Sequence, residues 1–569
     1  MDDFISGLVQ IVGQQHVLTH ASQTFRYQKG FRFGDGPVEA VVVPGSLVEL
    51  WRVARLCVQQ KRILIMQAAN TGLTGGSTPD GDHYDNPVII ISTRRLKGIH
   101  ILGQGKQVVC LPGSTLNELE KRLKPLGRDP HSVIGSSCIG ASVLGGISNN
   151  SGGALVQRGP AFTEMALYGR VNEAGELELV NHLGIDLGQD PENILRTVET
   201  GVFKGDDVSW SAGRGHDDDY INRVKDVEAD TPARFNADPD RLYEASGCAG
   251  KLVVFAVRLD TFPKENNSHV FYLGTNDKMV LEKVRRALLT EFDELPVCGE
   301  YMHRDAFDIA DQYGRDTVAM IRLLGTDHLP FFFGVKAWLD LLPHRFKWMP
   351  ASLGDRILQF VSRFLPSQVP ARLRACRDRY EHHLIIQTSD FLAEKLSSWF
   401  SKTLPHLGEG GVFECTPKEG KLALLHRFAA AGAAGRYNAI HRDETGGLLA
   451  LDVGLRRNDW DWFEKLPSEI EEKLVLKLYY GHFLCHVLHQ DYVVKKGVDP
   501  MEVEHAMWPL LDRRGARYPA EHNVGHLYNA PETMVDHYKK LDPCNCMNPG
   551  IGNTTKRRNW AAEGVSAGS

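Results

Sequence analysis

The sequence lacks the features of a membrane-spanning or secreted protein. None of its 569 residues belong to an apolar run of about 18 or more, which argues against a spanning helix. The first residues, MDDFISGLVQIV, contain two aspartates and no basic segment, so we expect no secretory signal. The ten cysteines follow no metal or disulfide spacing, which is typical of reduced, structural thiols in a cytoplasmic protein.

The chain also lacks a strong charge of either sign. Its 65 Lys and Arg residues nearly balance 71 Asp and Glu residues, for a net charge of -6, so we expect no nucleic acid among its partners. Single hydrophobic cores stop growing at roughly 250–300 residues. A chain of 569 residues is therefore expected to form two or more domains.

Two common nucleotide-binding fingerprints are missing. The dinucleotide pattern G-x-G-x-x-G fails because GQG at 103–105 has no third glycine. The pattern G-x-x-x-x-G-K-[ST] fails because Gly250-Lys251 is followed by Leu252. These absences disfavour a Rossmann dehydrogenase and a P-loop nucleotidase.

Three loops rich in small residues are present instead: QAANTGLTGGSTP (67–79), the stretch from SVIG to VQRG (132–159), and SGCAGKLVVFAVRLD (246–260). Small residues let backbone N–H groups approach a ligand closely, and successive N–H groups form anion-binding concavities. Any one loop could be an ordinary tight turn. Three within two hundred residues favour a phosphate or pyrophosphate ligand.

The chain around the first loop has the pattern of a βαβ unit. A valine run at 41–43 predicts a buried strand, Ser46-x-x-Glu49 predicts a helix N-cap, and ILIM at 63–66 predicts the next strand. A second strand and cap follow at VVCLP (108–112) and Thr115-x-x-Glu118. The first loop thus follows the carboxyl end of a strand, where α/β folds bind ligands.

These loops carry a family resemblance. VVVPGSLVEL (41–50), QAANTGLTGGS (67–77), GASVLGGISNNSGG (140–153), GCAGKLVV (247–254) and NPG (548–550) resemble, in order and spacing, the FAD-binding domain of vanillyl-alcohol-oxidase-type flavoproteins. Over nearly its full length the chain resembles the respiratory, quinone-linked D-lactate dehydrogenases of bacteria. The resemblance implies an α+β fold with a two-subdomain FAD-binding domain, an α/β cap domain that binds substrate, and a basic helical membrane-binding insert.

We place domain boundaries where the composition and the hydrophobic pattern of the sequence change. Residues 1–264 are expected to form the FAD-binding domain, completed by 512–569. The cap is expected from 265–328 and 385–511, and the insert from 329–384.

In the family the first loop usually reads R-G-G-G-T-G-L-S-G-G-A, whereas here Gln67, Ala68, Ala69 and Asn70 replace the first four residues. Asn tolerates the left-handed backbone region, so Asn70 can replace a glycine. The loop has neither His nor Cys, the residues that attach FAD covalently in some relatives, so we expect non-covalent FAD. The resemblance implies that these residues contact it: Ala68, Ala69, Asn70, Thr71, Gly72, Gly76, Ser77, Gly135, Ser136, Ser142, Gly146, Asn150, Gly152, Gly153 and Val254.

Relatives that oxidise 2-hydroxy acids carry a Glu-His-Gly-x-Gly segment, in which the Glu binds a metal and the His is the base. Glu521-His522-Asn523 matches it, with Asn523 in place of a glycine. The resemblance therefore implies His522 as the base and Glu521 as its orienting or metal-ligating partner. The alternative is a structural histidine beside an exposed glutamate.

The remaining metal ligands of those relatives lie in G-H-x-G-D-G-N-x-H. We match this pattern to 432–441, where Ala433 replaces the first His and Arg436 the Asp, and so predict no bound metal. Arg436, with His441 nearby, would then be the partner of the substrate carboxylate, because a guanidinium binds a carboxylate bidentately. The alternative is that 421–442 forms an Ala-rich amphipathic helix facing a membrane.

Three further histidines, His482, His486 and His489, are spaced i, i+4 and i+7, as on one face of a helix. Such spacing can bind a metal. We favour ordinary helix-packing or surface histidines.

The region 331–381 is rich in aromatic and basic residues. It holds nine Lys or Arg and four Asp or Glu, a net of +5, with the aromatics Phe331, Phe332, Phe333, Trp338, Phe346, Trp348, Phe360 and Phe364. Aromatic side chains favour the headgroup level, and basic ones are attracted to anionic lipids. We expect peripheral attachment to the cytoplasmic face of the bacterial inner membrane; a packed helical cap with a solvated basic face is the alternative.

The resemblance implies oxidation of D-lactate to pyruvate, with hydride transfer to FAD and electron transfer to a membrane quinone. Two alternatives remain open from the sequence. The substrate could be another 2-hydroxy acid, such as glycolate or 2-hydroxyglutarate. The chain could also be a flavin-free membrane-surface protein that keeps the fold as a scaffold.

Overall fold

The computed structural model describes residues 3–131, 140–265, 268–325 and 352–561, together with residues 332, 335, 336, 339, 340, 342, 346 and 350. Its helices are α1 (Asp3–Val12), α2 (Ala21–Gln28), α3 (Leu47–Gln59), α4 (Leu116–Leu123), α5 (Val143–Ser148), α6 (Pro191–Thr200), α7 (Tyr220–Lys225), α8 (Lys278–Thr290), α9 (Arg304–Tyr313), α10 (Arg315–Leu324), α11 (Leu353–Ser362), α12 (Ala371–Arg379), α13 (Asp390–Leu407), α14 (Pro417–Ile440), α15 (Ser468–Glu471), α16 (Pro500–Arg513) and α17 (Glu532–Leu541).

The strands are β1 (Val17–Leu18), β2 (Ala40–Val42), β3 (Ile63–Gln67), β4 (Val88–Ser92), β5 (Ile99–Leu102), β6 (Gln107–Cys110), β7 (Arg128–Asp129), β8 (Ala166–Val171), β9 (Leu177–Asn181), β10 (Val253–Asp260), β11 (Phe262–Pro263), β12 (His269–Thr275), β13 (Cys298–His303), β14 (His382–Thr388), β15 (Gly411–Glu414), β16 (Thr445–Gly454), β17 (Leu474–His482) and β18 (Val487–Lys495).

The N-terminal half contains two sheets. The first has the order β1-β2-β4-β3, with β2, β4 and β3 parallel. The second has the order β5-β6-β10-β8-β9 and is antiparallel, and β7 pairs separately with β11. The predicted strands and helices around the first loop are confirmed by β2, α3, β3, β6 and α4.

Both predicted helix caps are present. The Ser46 side chain accepts a hydrogen bond from the Glu49 N–H at 3.1 Å. Thr115 and Glu118 form a reciprocal capping box at the start of α4. Each cap satisfies N–H groups that a helix leaves without partners in its first turn, and so fixes where α3 and α4 begin.

The C-terminal segment returns to the first sheet. The Leu64 N–H in β3 donates to the Cys546 carbonyl at 3.0 Å. The Asn548 Nδ2 donates to the carbonyls of Gly76 at 2.9 Å and Ala249 at 2.8 Å. The NPG segment thus ties the first and third small-residue loops together.

A seven-stranded antiparallel sheet dominates the rest of the chain, in the order β15-β12-β14-β13-β17-β18-β16. Alternate residues of β12 face opposite sides, as the two-residue period of a strand requires. Phe271 and Leu273 join a core with α8 and α13. Val270 and Tyr272 join a second core with α9 and α14. The sheet is therefore covered by helices on both faces.

The described part of the basic insert contains two helices. It includes α11 and α12, between which Phe364 is 75% exposed, and Phe360 on α11 is 62% exposed. Phe331, Phe333, Trp338 and Trp348 lie outside the described residues. Among the helices that are described, none combines the length and apolarity needed to cross a bilayer.

A buried ion cluster joins α8 to the turn before β18. The Glu282 carboxylate accepts hydrogen bonds from Arg285 and Arg286 at 2.8 Å and lies 2.9 Å from His486 Nε2. The side chains of Glu282 and His486 are 0% exposed, and that of Arg285 is 1% exposed. Burial works to raise the pKa of Glu282, but His486 and Arg285 outweigh it and hold the pKa at about 2.

Replacing Glu282 by Gln should lower the free energy of unfolding by roughly 3–5 kcal/mol, because it leaves Arg285 charged and unpaired in the core. Urea denaturation followed by circular dichroism measures this change. The control is Glu192→Gln, which breaks a pair with Arg52 whose side chains are 26% and 50% exposed; it should cost less than about 1 kcal/mol. Equal losses for the two variants would contradict the structural role of the cluster.

Candidate active site

One cavity of about 2200 Å³ lies between the small-residue loops, the seven-stranded sheet and helices α10, α11 and α14. Ligand sites for single small molecules usually measure roughly 300–1,000 Å³. The cavity therefore has room for a large cofactor together with further ligands.

Most of the predicted FAD-binding residues line this cavity: Ala68, Ala69, Asn70, Thr71, Gly72, Gly76, Ser77, Ser142, Gly146, Gly152, Gly153 and Val254. Asn150 does not: its side chain is buried and its Nδ2 donates to the Arg241 carbonyl at 2.6 Å, which joins the second loop to the segment around residue 241. Gly135 and Ser136 lie outside the described residues.

The first loop has the backbone expected of it. Asn70 adopts φ +53°, the left-handed region predicted from its glycine replacement. The Gln67 side chain is buried and hydrogen-bonded within the protein. Its Nε2 donates to the carbonyls of Tyr27 at 2.9 Å and Ser77 at 2.8 Å and thereby closes the loop.

Three basic residues lie beside the first loop, in a segment that no sequence pattern identified. Arg26, Lys29 and Arg32, on α2 and the loop after it, line the cavity. The Asn70 Nδ2 donates to the Lys29 carbonyl at 2.8 Å, which places this segment against the loop. These cations can compensate for the arginine that Gln67 replaces, since an anionic pyrophosphate attracts positive charge.

A cluster of one carboxylate and two histidines lies farther along the same cavity. Glu521 is 7% exposed. Its Oε1 pairs with Arg234, and its Oε2 lies 3.4 Å from His482 Nε2 and 3.7 Å from His489 Nε2. His482 ends β17 and His489 lies in β18, so the two strands present both imidazoles to Glu521.

Asp452 on β16 connects this cluster to His522. One of its oxygens, Oδ2, lies 2.8 Å from His522 Nδ1 and accepts the Glu521 N–H at 2.6 Å. The other, Oδ1, lies 3.6 Å from His489 Nδ1. Asp452 is 4% exposed, whereas the His522 side chain is 34% exposed and lines the cavity. The buried carboxylate thus orients an imidazole that ligands can reach.

Charge is unequally divided among these groups. Burial works to lower the pKa of His482, but Glu300, whose Oε1 is 2.6 Å from His482 Nδ1, and Glu521 outweigh it and raise the pKa to about 10. Burial dominates at His489 and lowers its pKa to about 4. Burial likewise opposes ionisation of Glu521, yet Arg234 and His482 hold its pKa well below the usual range.

The three histidines predicted to share a helix face do not lie on a helix. His482 and His489 belong to adjacent antiparallel strands, and His486 lies in the tight turn between them with φ +53°. A short hairpin brings residues seven apart together across strands, and this spacing coincides with two turns of a helix. The expectation of ordinary helix-packing histidines is therefore wrong for His482 and His489.

The hairpin also corrects the match to the metal-ligand pattern. GHFLCHVLH at 481–489 has the same length as G-H-x-G-D-G-N-x-H and keeps the first Gly-His and the last His. The two residues of 432–441 that were predicted to bind the substrate have protein partners instead. Arg436 is buried against Asp316 and Asp355, and His441 Nε2 lies 2.7 Å from the Tyr313 hydroxyl. We therefore move the prediction from that segment to the hairpin.

The chemistry of the cluster suits a divalent metal. His482, His489 and Glu521 each offer one ligand atom, and these atoms lie within 4.8 Å of one another. Imidazole and carboxylate ligands suit zinc and similar ions. Both histidines face a carboxylate with the other ring nitrogen, as metal-ligating histidines usually do. The expectation of no metal rested on the wrong segment, and the geometry of these residues favours a metal site.

Comparison with known proteins agrees with the fold. A family model described as "FAD binding domain" matches residues 38–176. Solved structures with the same fold include 4-ethylphenol oxidase from Gulosibacter chungangensis (TM-score 0.57, 11% identity, covering 97% of each chain) and p-cresol methylhydroxylase (TM-score 0.55, 12% identity, covering 97% of each chain). The fold is thus that of a vanillyl-alcohol-oxidase-type flavoprotein.

A second model, "D-lactate dehydrogenase, membrane binding", matches residues 270–560. The chain is 58% identical to the quinone-dependent D-lactate dehydrogenase of Escherichia coli (strain K12), over 98% of this chain and 97% of the relative. The protein of the same description from Haemophilus influenzae is 55% identical, over 99% and 100%, and that of Corynebacterium glutamicum is 46% identical, over 98% of each. The chain belongs to this family of quinone-dependent D-lactate dehydrogenases.

Gly72 offers a direct test of where the flavin lies. A Cβ added to Gly72 would meet no described atom within 4 Å, although the residue lines the cavity. The Gly72→Leu variant should fold normally and lose most of its FAD, because the side chain enters space that the cofactor needs. The ratio of flavin to protein absorbance measures this loss.

The matched control is Gly205→Leu, at an exposed glycine that also has no described atom within 4 Å of an added Cβ and lies outside the residues lining the cavity. It should retain a full complement of FAD. Full flavin content in both variants would contradict the assignment of this loop.

Proposed function

We propose that this protein oxidises D-lactate to pyruvate, with FAD as the hydride acceptor and a membrane quinone as the final electron acceptor. The observation that carries the proposal is that His522, oriented by a buried carboxylate, opens into the same cavity as the three small-residue loops. Relatives that share 46–58% of the sequence are described as quinone-dependent D-lactate dehydrogenases.

We assign His522 as the base that accepts the hydroxyl proton of the substrate. Its Nδ1 lies 2.8 Å from Asp452 Oδ2, so with a proton on Nδ1 the ring keeps Nε2 free to accept another. Burial works to lower the pKa of His522, but Asp452 outweighs it, and the pKa is raised. The same carboxylate therefore stabilises the imidazolium that forms when the proton is taken up.

The carboxylate of the substrate needs a positive partner in the cavity. Arg32 and Arg427 line the cavity, and Arg427 Nη2 lies 3.0 Å from Glu300 Oε2. A divalent metal held by His482, His489 and Glu521 would supply further positive charge and would polarise the hydroxyl group. Arg234 pairs with Oε1 of Glu521 and so holds the carboxylate in position to bind a metal through Oε2.

FAD, when bound along the small-residue loops, supplies the two-electron acceptor. The loops contribute only uncharged side chains to the described cavity lining from 67–77, 141–155 and 249–254. Backbone N–H groups and the nearby cations of α2 and the loop after it would therefore hold its pyrophosphate. We propose that the flavin is bound non-covalently, since none of these lining residues is His or Cys.

The direct test is anaerobic mixing of the purified, yellow protein with D-lactate. The flavin absorbance near its visible maximum should disappear, because the substrate delivers a hydride to the flavin. A panel with L-lactate, glycolate and D-2-hydroxyglutarate identifies the preferred hydroxy acid. Failure of every 2-hydroxy acid to bleach the flavin would contradict the proposal, and bleaching by another acid alone would change the substrate.

Replacing His522 by Gln should slow flavin reduction by D-lactate by about 10²-fold or more, the usual scale for loss of a general base. Stopped-flow absorbance measures this rate directly, without the quinone step. The control is His505→Gln, on the exposed face of α16 and outside the cavity lining, which should react at the wild-type rate. A normal rate in the His522 variant would remove this residue from the mechanism.

We also propose that the insert binds anionic lipid at the cytoplasmic face of the inner membrane. Exposed Phe360 and Phe364 stand beside exposed Arg356 and Arg363 on and after α11. Such a mixture of aromatic and basic groups suits the headgroup region. The described cysteines are free and buried, which fits a reducing compartment.

Flotation with phosphatidylglycerol-containing vesicles tests this surface. The wild-type protein should float at low salt and less at high salt, because screening weakens attraction to the anionic surface. The double variant Phe360→Ser, Phe364→Ser should float less. Phe391→Ser, at a phenylalanine that is 63% exposed on α13, should behave like the wild type. Equal flotation of all three proteins would contradict attachment through α11.

A further inference from the structure

The cavity extends well beyond the histidine cluster. Its far part lies between α10, α11 and α14, and is lined by apolar side chains. The D-lactate site and the flavin loops account for the near part. No group required for D-lactate oxidation accounts for the far part, which leaves room there for a further ligand.

One wall of this far part is a single face of α14. Leu424, Phe428, Ala431, Gly432 and Gly435 line the cavity, and residues spaced by three, four and seven share one side of a helix. A Cβ added to Gly432 or Gly435 would meet no described atom within 4 Å. Among the described residues, the two glycines therefore leave open space along the helix.

Another glycine of the same helix shows the contrast. A Cβ on Gly420 would lie 2.8 Å from Val270 Cβ, so close packing against β12 explains this glycine. Glycine inside a helix makes the helix less stable than alanine does. No described residue packs closely enough against Gly432 or Gly435 to require a glycine there. A ligand lying against the helix would explain both glycines.

The opposite walls are apolar and open outward. On α10, Leu323 is 70% and Leu324 is 49% exposed; on α11, Ile357 is 41% and Val361 is 48% exposed. All four line the cavity. They lie next to the insert that we propose binds lipid, so this opening is where an apolar molecule would enter from a bilayer.

Polar groups lie at the inner side of this far part. Arg436 is 7% exposed, pairs with Asp316, and lies 3.7 Å through Nε from Asp355 Oδ1. Its Nε finds no hydrogen-bond partner among the described residues. Arg436, Asp316 and Asp355 all line the cavity. A buried donor without a partner costs free energy, and a ligand carbonyl oxygen would satisfy it.

We propose that this apolar channel, bounded by α10, α11 and the glycine face of α14, is the binding site of the membrane quinone. The flat ring would lie against Gly432 and Gly435, with a carbonyl oxygen toward Arg436, and the apolar tail would leave past Leu323 and Val361. This proposal rests on the proposed function, which supplies the quinone as acceptor. It also gives Arg436 a role different from the carboxylate binding expected from the sequence.

The electrons and protons balance without another oxidant. Conversion of D-lactate to pyruvate breaks the C–H and O–H bonds of the carbinol and releases two electrons and two protons. The quinone takes up two electrons and two protons to become the hydroquinone, and FAD, when bound, would supply the intermediate electron acceptor. A channel that shares one cavity with the flavin loops brings acceptor and donor together without a second protein.

Gly432→Leu and Gly435→Leu test the channel, because each places a side chain in the open space without a described clash. We measure D-lactate oxidation with a short-chain ubiquinone and, separately, with ferricyanide. The ratio of the quinone rate to the ferricyanide rate should fall by about tenfold or more, as expected when a ligand site is filled. Binding of the oxidised ubiquinone, followed by tryptophan fluorescence quenching, should weaken in parallel.

The matched control is Lys421→Leu, which adds a leucine to the exposed face of α14 outside the cavity lining; its ratio and its quinone affinity should equal those of the wild type. Wild-type ratios and quinone affinities in both glycine variants would overturn the channel, as would equal losses with both acceptors. If D-lactate fails to bleach the wild-type flavin, the proposed function fails, and the quenching measurement alone still decides whether quinone binds here.

Discussion

The buried carboxylate of Glu521 is the constraint on which the site depends. Arg234 pairs with one of its oxygens, and His482 and His489 face the other. Its backbone N–H donates to Asp452 on β16. A Cβ on Gly152 in the second small-residue loop would lie 2.7 Å from its Oε1. One side chain therefore joins the flavin loops, the large sheet and the C-terminal segment, and any shift among these parts would disturb it.

Burying so much charge is costly unless each charge has a partner. The site meets this cost with pairs whose members come from distant parts of the chain, such as Glu300 with His482 and Asp452 with His522. The result is an ordered set of protonation states: His482 is a buried cation, with its pKa raised to about 10, while burial keeps His489 neutral, with its pKa lowered to about 4. Metal ligands must be deprotonated, so the neutral His489 and the ionised Glu521 are ready to bind a metal, whereas His482 would have to release its proton first.

The sequence predicted those parts of the fold that depend on local chemistry. The capping box at Thr115, the left-handed backbone of Asn70 and the small-residue loops follow from residue types a few positions apart. The polar site was harder to predict, because Arg234 and Asp452 contact Glu521 and His522 from positions far away in sequence. No periodicity in the sequence indicates such contacts. The histidine hairpin was misassigned because its spacing fits a helix equally well. Arg436 was misplaced because the motif was matched to the wrong segment.

Hydride transfer from D-lactate to a flavin in this cavity breaks the C–H bond at the carbinol carbon. It is tested most directly by single-turnover reduction of the flavin with D-lactate and with D-lactate deuterated at the carbinol carbon. We expect D-lactate to bleach the flavin and deuterium to slow the bleaching, because the C–H bond breaks as the hydride moves. Bleaching that is insensitive to deuterium, with binding shown not to limit the rate, or no bleaching at all, would contradict it.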